Sequence, residues 1–272
     1  MIRPRAPRHL FAAWGTVVGL LVLGGLAWSV SCSDGGRQAT EPPAQKRQQA
    51  ARAREPRTPS EKRPSREREV TEQPEAKVSP GRRGLSRIPL SQLDITQGRL
   101  DAGEDGQLTV DTPRMRAVVP GTTGSSAELR FTVLGPTSEQ LALGSGAQRQ
   151  QVGLKLRALD GCNLVYAMWR LAPKAGIVVN YKRNPGQHTS RECGNEGYTT
   201  VRPRQSTRVE APAPGTPHTL RATLDGGTLR VWADDALAWE GELPEEALAI
   251  NGPVGMRSDN VRLRLQLHAP LP

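Results

Sequence analysis

From Leu90 to Leu267 the sequence consists largely of short runs in which apolar and polar residues alternate, and a period of two is the signature of β-strands with one buried face. The clearest runs are 107–111, 115–119, 128–134, 151–159, 163–171, 177–182, 219–224, 228–233, 237–243, 254–257 and 261–267. Gly, Pro, Asp and Asn separate them, and Asp160-Gly161 and Asp225-Gly226-Gly227 are hairpin signals. Only 244–249 has helical character, over one or two turns. A sheet with one apolar face must bury it against another layer, so the pattern predicts an all-β fold of two antiparallel sheets, a sandwich or barrel. About 180 residues suffice for a core of that kind.

Charge divides the chain differently from pattern. The chain has 272 residues and a formal net charge of +10. Residues 1–31 carry three Arg and no acid, residues 32–88 carry fourteen basic against eight acidic side chains, and residues 89–272 carry twenty against nineteen. The excess therefore sits outside the predicted sandwich. A nucleic-acid-binding domain needs its positive charge on the folded surface, so no nucleic-acid partner is expected.

Three segments follow: 1–35, 36–88 and 89–272. Within the first, residues 11–30 read FAAWGTVVGLLVLGGLAWSV and carry no charge. At about 1.5 Å per residue a helix of this length spans a hydrocarbon layer of about 30 Å. Arg3, Arg5 and Arg8 precede it, which holds the N-terminus in the cytoplasm and exports the remainder, and Trp14 and Trp28 lie near its two ends. Ser29-Val30-Ser31-Cys32 resembles a bacterial lipobox, with Ser29 where Leu is usual, and makes Cys32 a candidate for lipidation. A retained signal anchor, a lipoprotein and a cleaved secreted form all remain open. Each places the β domain outside the cytoplasm, at the cell membrane in the first two cases. Residues 36–88 are rich in Arg, Glu, Pro, Gln and Ala and nearly free of large apolar side chains, so they cannot offset the entropy of ordering; a disordered linker is expected, as a spacer or as a cationic tether to anionic lipid or cell-wall polymer.

The stretch Leu220-Arg-Ala-Thr-Leu-Asp-Gly-Gly-Thr-Leu-Arg-Val-Trp232, then Ala238-Trp239-Glu-Gly-Glu, resembles the hairpin of concanavalin A-like lectin/glucanase (laminin G-like) domains. The closing Gly252-Pro-Val-Gly-Met-Arg-Ser-Asp-Asn-Val-Arg-Leu-Arg264 is similar to the last two strands of that superfamily. The resemblance implies a jelly roll with one concave sheet. It leaves function open, because lectins, hydrolases and protein-binding modules share the fold.

Cys162 and Cys193 remain once Cys32 is set aside, and export favours their pairing in a disulfide, two separate buried thiols being the alternative. No metal or cofactor is expected, since paired Cys or His at ligand spacing are missing. Asp225, Asp259 and Asn260 are oxygen donors in turns, but they do not assemble the roughly six to eight ligands of calcium.

The glucanase branch implied by the resemblance uses a Glu-x-Asp-x-(x)-Glu strand, which puts two carboxylates on one face. No predicted strand carries it. Glu240 and Glu242 are the nearest pair and precede a turn, Asp234-Asp235 reads as a hairpin tip, and the histidines are scattered. A non-catalytic reading is therefore favoured over a glycan-processing hydrolase.

A binding face is easier to find. Pairing 151–159 with 163–171 about Asp160-Gly161 puts Val152, Leu154, Leu156, Val165, Ala167 and Trp169 on the core side, joined by Ile177, Val179 and Tyr181. The opposite side then carries Lys155, Arg157, Tyr166, Met168, Arg170, Asn180 and Lys182. An aromatic ring among planar and cationic donors suits carbohydrate, neutral or acidic, by stacking and hydrogen bonding; a solvated face with long basic stems is the alternative. Trp239 is expected in the core with Leu237 on its face. Carbohydrate is the expected ligand, and a protein partner in the envelope is the remaining alternative.

Overall fold

The computed structural model describes residues 84–271, and they form two antiparallel sheets. In chain order the strands are β1 (Leu85–Arg87), β2 (Asp94–Gln97), β3 (Asp101–Ala102), β4 (Leu108–Val110), β5 (Arg114–Val118) and β6 (Ser126–Pro136). There follow β7 (Gln150–Leu156), β8 (Leu164–Ala172), β9 (Gly176–Lys182), β10 (Tyr198–Thr200) and β11 (Gln205–Ser206). The last five are β12 (Pro217–Asp225), β13 (Thr228–Ala233), β14 (Ala236–Glu242), β15 (Gly255–Asp259) and β16 (Val261–Pro270). Two short helices interrupt them, α1 (Ser190–Cys193) and α2 (Glu245–Leu248). One sheet has the order β11-β14-β13-β12-β6-β16-β4-β3, with β1 also paired to β16. The other has the order β10-β9-β8-β7-β15-β5-β2 and carries the cleft described below. The fold is an all-β jelly-roll sandwich.

Each of the eleven runs read from the alternation overlaps a strand, and the alternation also fixes which side faces inward. Along β16, Val261, Leu263, Leu265, Leu267 and Ala269 are buried while Arg262 and Arg264 are exposed. Along β8, Val165, Ala167 and Trp169 enter the core. Phe131 of β6 meets Trp169 edge-on across the sandwich, with ring centroids 5.9 Å apart and an interplanar angle of 88°. Edge-to-face contacts of this type add to the area term because the positive ring edge meets the negative face. The indole N–H of Trp169 donates to Glu210 O at 2.9 Å, so the buried ring leaves no donor unmet.

Several expectations change in detail. β7 ends at Leu156 rather than 159, because Arg157 adopts φ 48° and turns the chain; Leu159 is left exposed. The register nonetheless holds, with Val152 opposite Trp169, Leu154 opposite Ala167 and Leu156 opposite Val165. Asp234 and Asp235 form the tip of the β13–β14 hairpin, both with positive φ, the backbone that a two-residue type I′ turn requires. Trp239 is buried as expected, but Leu237 is not on its face. A bulge skips Ala238, so Val231 pairs with Trp239 while Leu237 pairs with Trp232, on the opposite side of the sheet. β1 lies inside the stretch assigned to the linker. It pairs with Ala269 and Pro270 at the end of β16, and Arg87 Nη1 donates to Asp105 O at 2.9 Å.

Residues 11–30, Cys32 and the linker up to residue 83 lie outside the described residues. Among the described residues no helix is long and apolar enough to cross a membrane.

Candidate functional site

The outer face of the β7–β9 sheet forms the floor of a cleft of about 570 Å³. Alternation places its side chains. In β15, Met256 and Ser258 point into the sandwich, so Arg257 and Asp259 point outward; in β5, Met115 and Ala117 point in and Arg116 points out. Register then brings Arg116, Arg257, Gly153 and Met168 into one row across four strands, and Arg114, Asp259, Gln151 and Arg170 into the next. Gly153 is needed in the first row. A Cβ there would lie 2.5 Å from Met168 Sδ and 2.4 Å from Ala167 O, so any larger residue displaces the floor.

Asp259 organises this floor from beneath. Its carboxylate is fully buried and accepts from Arg116 Nη2 at 2.6 Å, Arg257 Nε at 2.8 Å and Gln151 Nε2 at 2.6 Å. Burial by itself would raise its pKa, but the charges of Arg257 and Arg116 and these hydrogen bonds override it and bring it down to about 2. The carboxylate is ionised at any physiological pH and is saturated by donors.

Above it sits an aromatic pair. The rings of Tyr166 and Tyr198 are stacked with centroids 6.1 Å apart at 22°. The Arg257 guanidinium lies over the Tyr166 ring at 4.7 Å, and Arg257 Nη1 donates to the Tyr198 hydroxyl at 3.2 Å. Burial pushes the Tyr166 hydroxyl up to about 12. Tyr166 is nearly covered, whereas Tyr198 is 38% exposed and offers the accessible ring. Lys182 Nζ lies 5.1 Å from the Tyr198 centroid and donates to Gly194 O at 2.8 Å.

Two loops wall the cleft. One, containing Leu143, Gly144, Ser145 and Arg149, is held by Asn260, whose amide accepts from Leu141 N and donates to Leu141 O and Arg149 O. The other, containing Ser190, Gly194 and Asn195, is fastened by the disulfide between Cys162 and Cys193, whose Cα atoms are 5.9 Å apart. The pairing expected of these cysteines is therefore present. The walls approach each other where Gly144 faces Asn195.

Of the residues read from sequence as a binding face, Tyr166, Met168, Arg170, Asn180 and Lys182 line this cleft. Lys155 and Arg157 do not. Lys155 is on the same face but buried, flanked by Gly255 and Tyr166, and burial with the nearby charges of Arg116 and Arg257 lowers it to about 8. Arg157 lies beyond the end of β7, and its guanidinium donates to Leu248 O at 2.7 Å and to Ile250 O, where it fixes the turn after α2. The sequence reading missed Arg116, Gln151, Arg257 and Asp259, although their alternation with Ala117, Val152, Met256 and Ser258 carries the signal. Tyr198, Arg114 and Arg149 lie at strand ends or in loops, where no periodicity marks them. Asp259 and Asn260, considered above as turn oxygens, are instead committed to arginines and to a loop.

Glu240 and Glu242 are on β14 of the other sheet. Glu240 is held by Arg204 and by Arg230 Nε at 2.6 Å, which lower its pKa, and Glu242 accepts from Thr228. No carboxylate lines the cleft among the described residues. No group of three or more His, Cys, Asp and Glu able to hold a metal occurs there either.

No protein-family model and no curated protein matches the chain. Solved structures with a similar chain path include the carbohydrate-binding module CBM66 from Bacillus subtilis, at 13% identity and a TM-score of 0.44 over 64% of this chain and 91% of that one. A metal-free Emp46p carbohydrate recognition domain matches at 14% identity and a TM-score of 0.39, over 65% of this chain and 88% of that one. A tetrameric galectin from the ball sponge Cinachyrella sp. matches at 15% identity and a TM-score of 0.37, over 58% of this chain and all of that one.

Proposed function

We propose that this protein is an envelope-anchored, extracytoplasmic carbohydrate-binding domain that holds its glycan in the cleft without cleaving it. The observation that carries the reading is the cleft itself. An accessible Tyr198 ring, backed by Tyr166, sits among fixed planar donors, and the described residues lining it include no carboxylate. Sugars are bound by an apolar ring face beneath their C–H groups together with hydrogen bonds of set direction to their hydroxyls. Asn180, Gln151 and Arg257 supply directed groups, and Asn180 is itself oriented by a 2.7 Å bond to Thr200 Oγ1. Glycoside hydrolysis needs two carboxyl groups flanking the scissile bond, and the one carboxylate beneath this floor is ionised and donor-saturated.

Anchoring rests on residues 11–30 and Cys32. Export is supported by the Cys162–Cys193 disulfide, which an oxidising compartment preserves. Binding of the full-length chain to a glycan array, lost on Tyr198→Ala, tests the ligand. Membrane fractionation with protease added to spheroplasts tests the location: protection of the β domain until the spheroplasts are lysed would refute export.

A further inference from the structure

Among the described residues, six cationic side chains line the cleft: Arg114, Arg116, Arg149, Arg170, Lys182 and Arg257. Asp259 lies below and is shared by Arg116 and Arg257. Among the described residues no carboxylate pairs with the other four. Arg114 Nη2 donates to a backbone carbonyl, Ala142 O, at 2.5 Å, and Lys182 to Gly194 O. These are neutral acceptors, and they leave the charges uncompensated.

Arg170 combines this imbalance with an unmet donor. It extends from β8 next to Gln151 on β7, and its Nε is buried with no hydrogen-bond acceptor. A buried donor left unmade carries its full desolvation cost, and native structures retain such groups mostly where a water, an ion or a ligand completes them. Arg149 lines the same cleft two residues before Gln151, the partner of Arg170 across β7 and β8, and burial together with the charges of Arg149 and Arg257 holds the Arg170 pKa below the usual range. Two guanidiniums lining one cleft without an anion repel each other; an oxyanion bound there would relieve both by accepting charge-assisted hydrogen bonds. The 20 basic and 19 acidic residues in 89–272 show that this concentration is local rather than compositional.

We infer that the Arg149–Arg170 end of the cleft is an anion subsite, so that the glycan recognised is an acidic one whose carboxylate, sulfate or phosphate group docks there while a sugar ring lies on Tyr198. This inference rests on the carbohydrate reading of the same cleft. It specifies a class of ligand, a negatively charged saccharide, and assigns the discrimination between charged and neutral glycans to two named residues.

The test uses the full-length chain on an array in which uronate-, sulfate- and phosphate-bearing oligosaccharides each stand beside their uncharged parent, with single-stranded DNA as a polyanion without that sugar chemistry. Expected are affinities at least tenfold higher for charged members of one series than for their parents, weakening as salt rises. Arg170→Gln should weaken binding of the charged members at least tenfold more than that of their uncharged parents, and Arg170→Lys should restore part of the difference. If Arg170→Gln lowers the melting temperature enough to confuse the reading, Arg149→Gln, on the loop wall, must give the same loss of preference. The series that carries the preference identifies the anion. Equal binding of charged and uncharged glycans would overturn the anion subsite and leave the carbohydrate reading standing. Binding of no glycan would overturn both. Tighter binding of DNA than of any glycan would assign the cations to nucleic acid instead.

Discussion

Replacing Asp259 with Asn removes one charge from the floor and almost no volume. Asp259 is buried, and the side chains of its partners Arg116 and Arg257 are 12% and 10% exposed, so water screens this network little. Breaking a buried ion pair by removing one partner costs about 3–5 kcal/mol, since the remaining charge is stranded. The titration of the same group provides a second route. Its pKa falls from 3.8 to about 2 in the folded protein, a difference worth about 2–3 kcal/mol. Because the folded value lies below the unfolded one, this contribution is complete above about pH 4 and is lost as pH falls towards 2. The Asn variant keeps one acceptor oxygen, so about 3 kcal/mol is expected, and for a domain of this size that lowers the melting temperature by about 6–12 °C. Thermal unfolding followed by circular dichroism at pH 7, and again in steps from pH 5 to pH 2, measures both. The gap between wild type and variant should close as pH drops. Asp101→Asn is the control: its partner is Arg99, both side chains are largely exposed, and less than about 1 kcal/mol should be lost. An Asp259→Asn protein melting within about 2 °C of wild type at pH 7, or a gap that stays constant down to pH 2, would refute the reasoning.

Trp169→Ala should cost about 3–5 kcal/mol, by urea denaturation, because it empties the inter-sheet contact with Phe131. Tyr198→Ala removes a partly exposed ring together with its stack on Tyr166 and its acceptor for Arg257, so it should cost about 1–3 kcal/mol of stability while weakening glycan binding at least tenfold. Non-reducing peptide mapping should recover Cys162 linked to Cys193; reduction of this bridge, which spans 31 positions, should cost about 3–4 kcal/mol and lower glycan affinity, since it frees one wall of the cleft. Glu240→Gln together with Glu242→Gln should leave glycan binding unchanged in calorimetric titration, as both lie on the other sheet.

The sandwich was legible because period-two patterning is a strong signal wherever a strand has one buried face, as along β16 and β8. The strands that went unread, β1, β2, β3, β10 and β11, are two to four residues long; pairing partners distant in sequence define them, and no local pattern does. The bulge at Ala238 likewise leaves no mark in the sequence, and it moves Leu237 to the other side. At the site, reading outward from the Asp160-Gly161 connection found Tyr166, Arg170, Asn180 and Lys182, because β7, β8 and β9 are consecutive in the chain. β15 enters that sheet from about a hundred residues later and brings Arg257 and Asp259 between β7 and β5. Only topology places those residues beside Gln151. Arg157 shows the opposite failure: the alternation continued on paper past a residue at which the backbone turns.

A near-neutral sum conceals how the charges of residues 89–272 are arranged. Cations alternate with core residues on β5, β8 and β15 and converge on one concavity, while the carboxylates of Glu128 and Glu240 on the outer side of the other sheet are taken up by Arg130, Arg204 and Arg230 there. Segregation of this kind gives a local field without raising the net charge, and low-dielectric walls concentrate it inside the cleft. Asp259 limits what the field can do chemically. A carboxyl group serving as a proton donor near neutral pH must have its pKa raised, and this one is lowered by two arginines. The same contacts fix the Arg116 and Arg257 guanidiniums before any ligand arrives, so little side-chain entropy remains to be lost on binding. On the proposed reading, a floor whose guanidiniums are charged and held in place favours retention of an acidic glycan, and Asp259 cannot supply the proton that its hydrolysis would need.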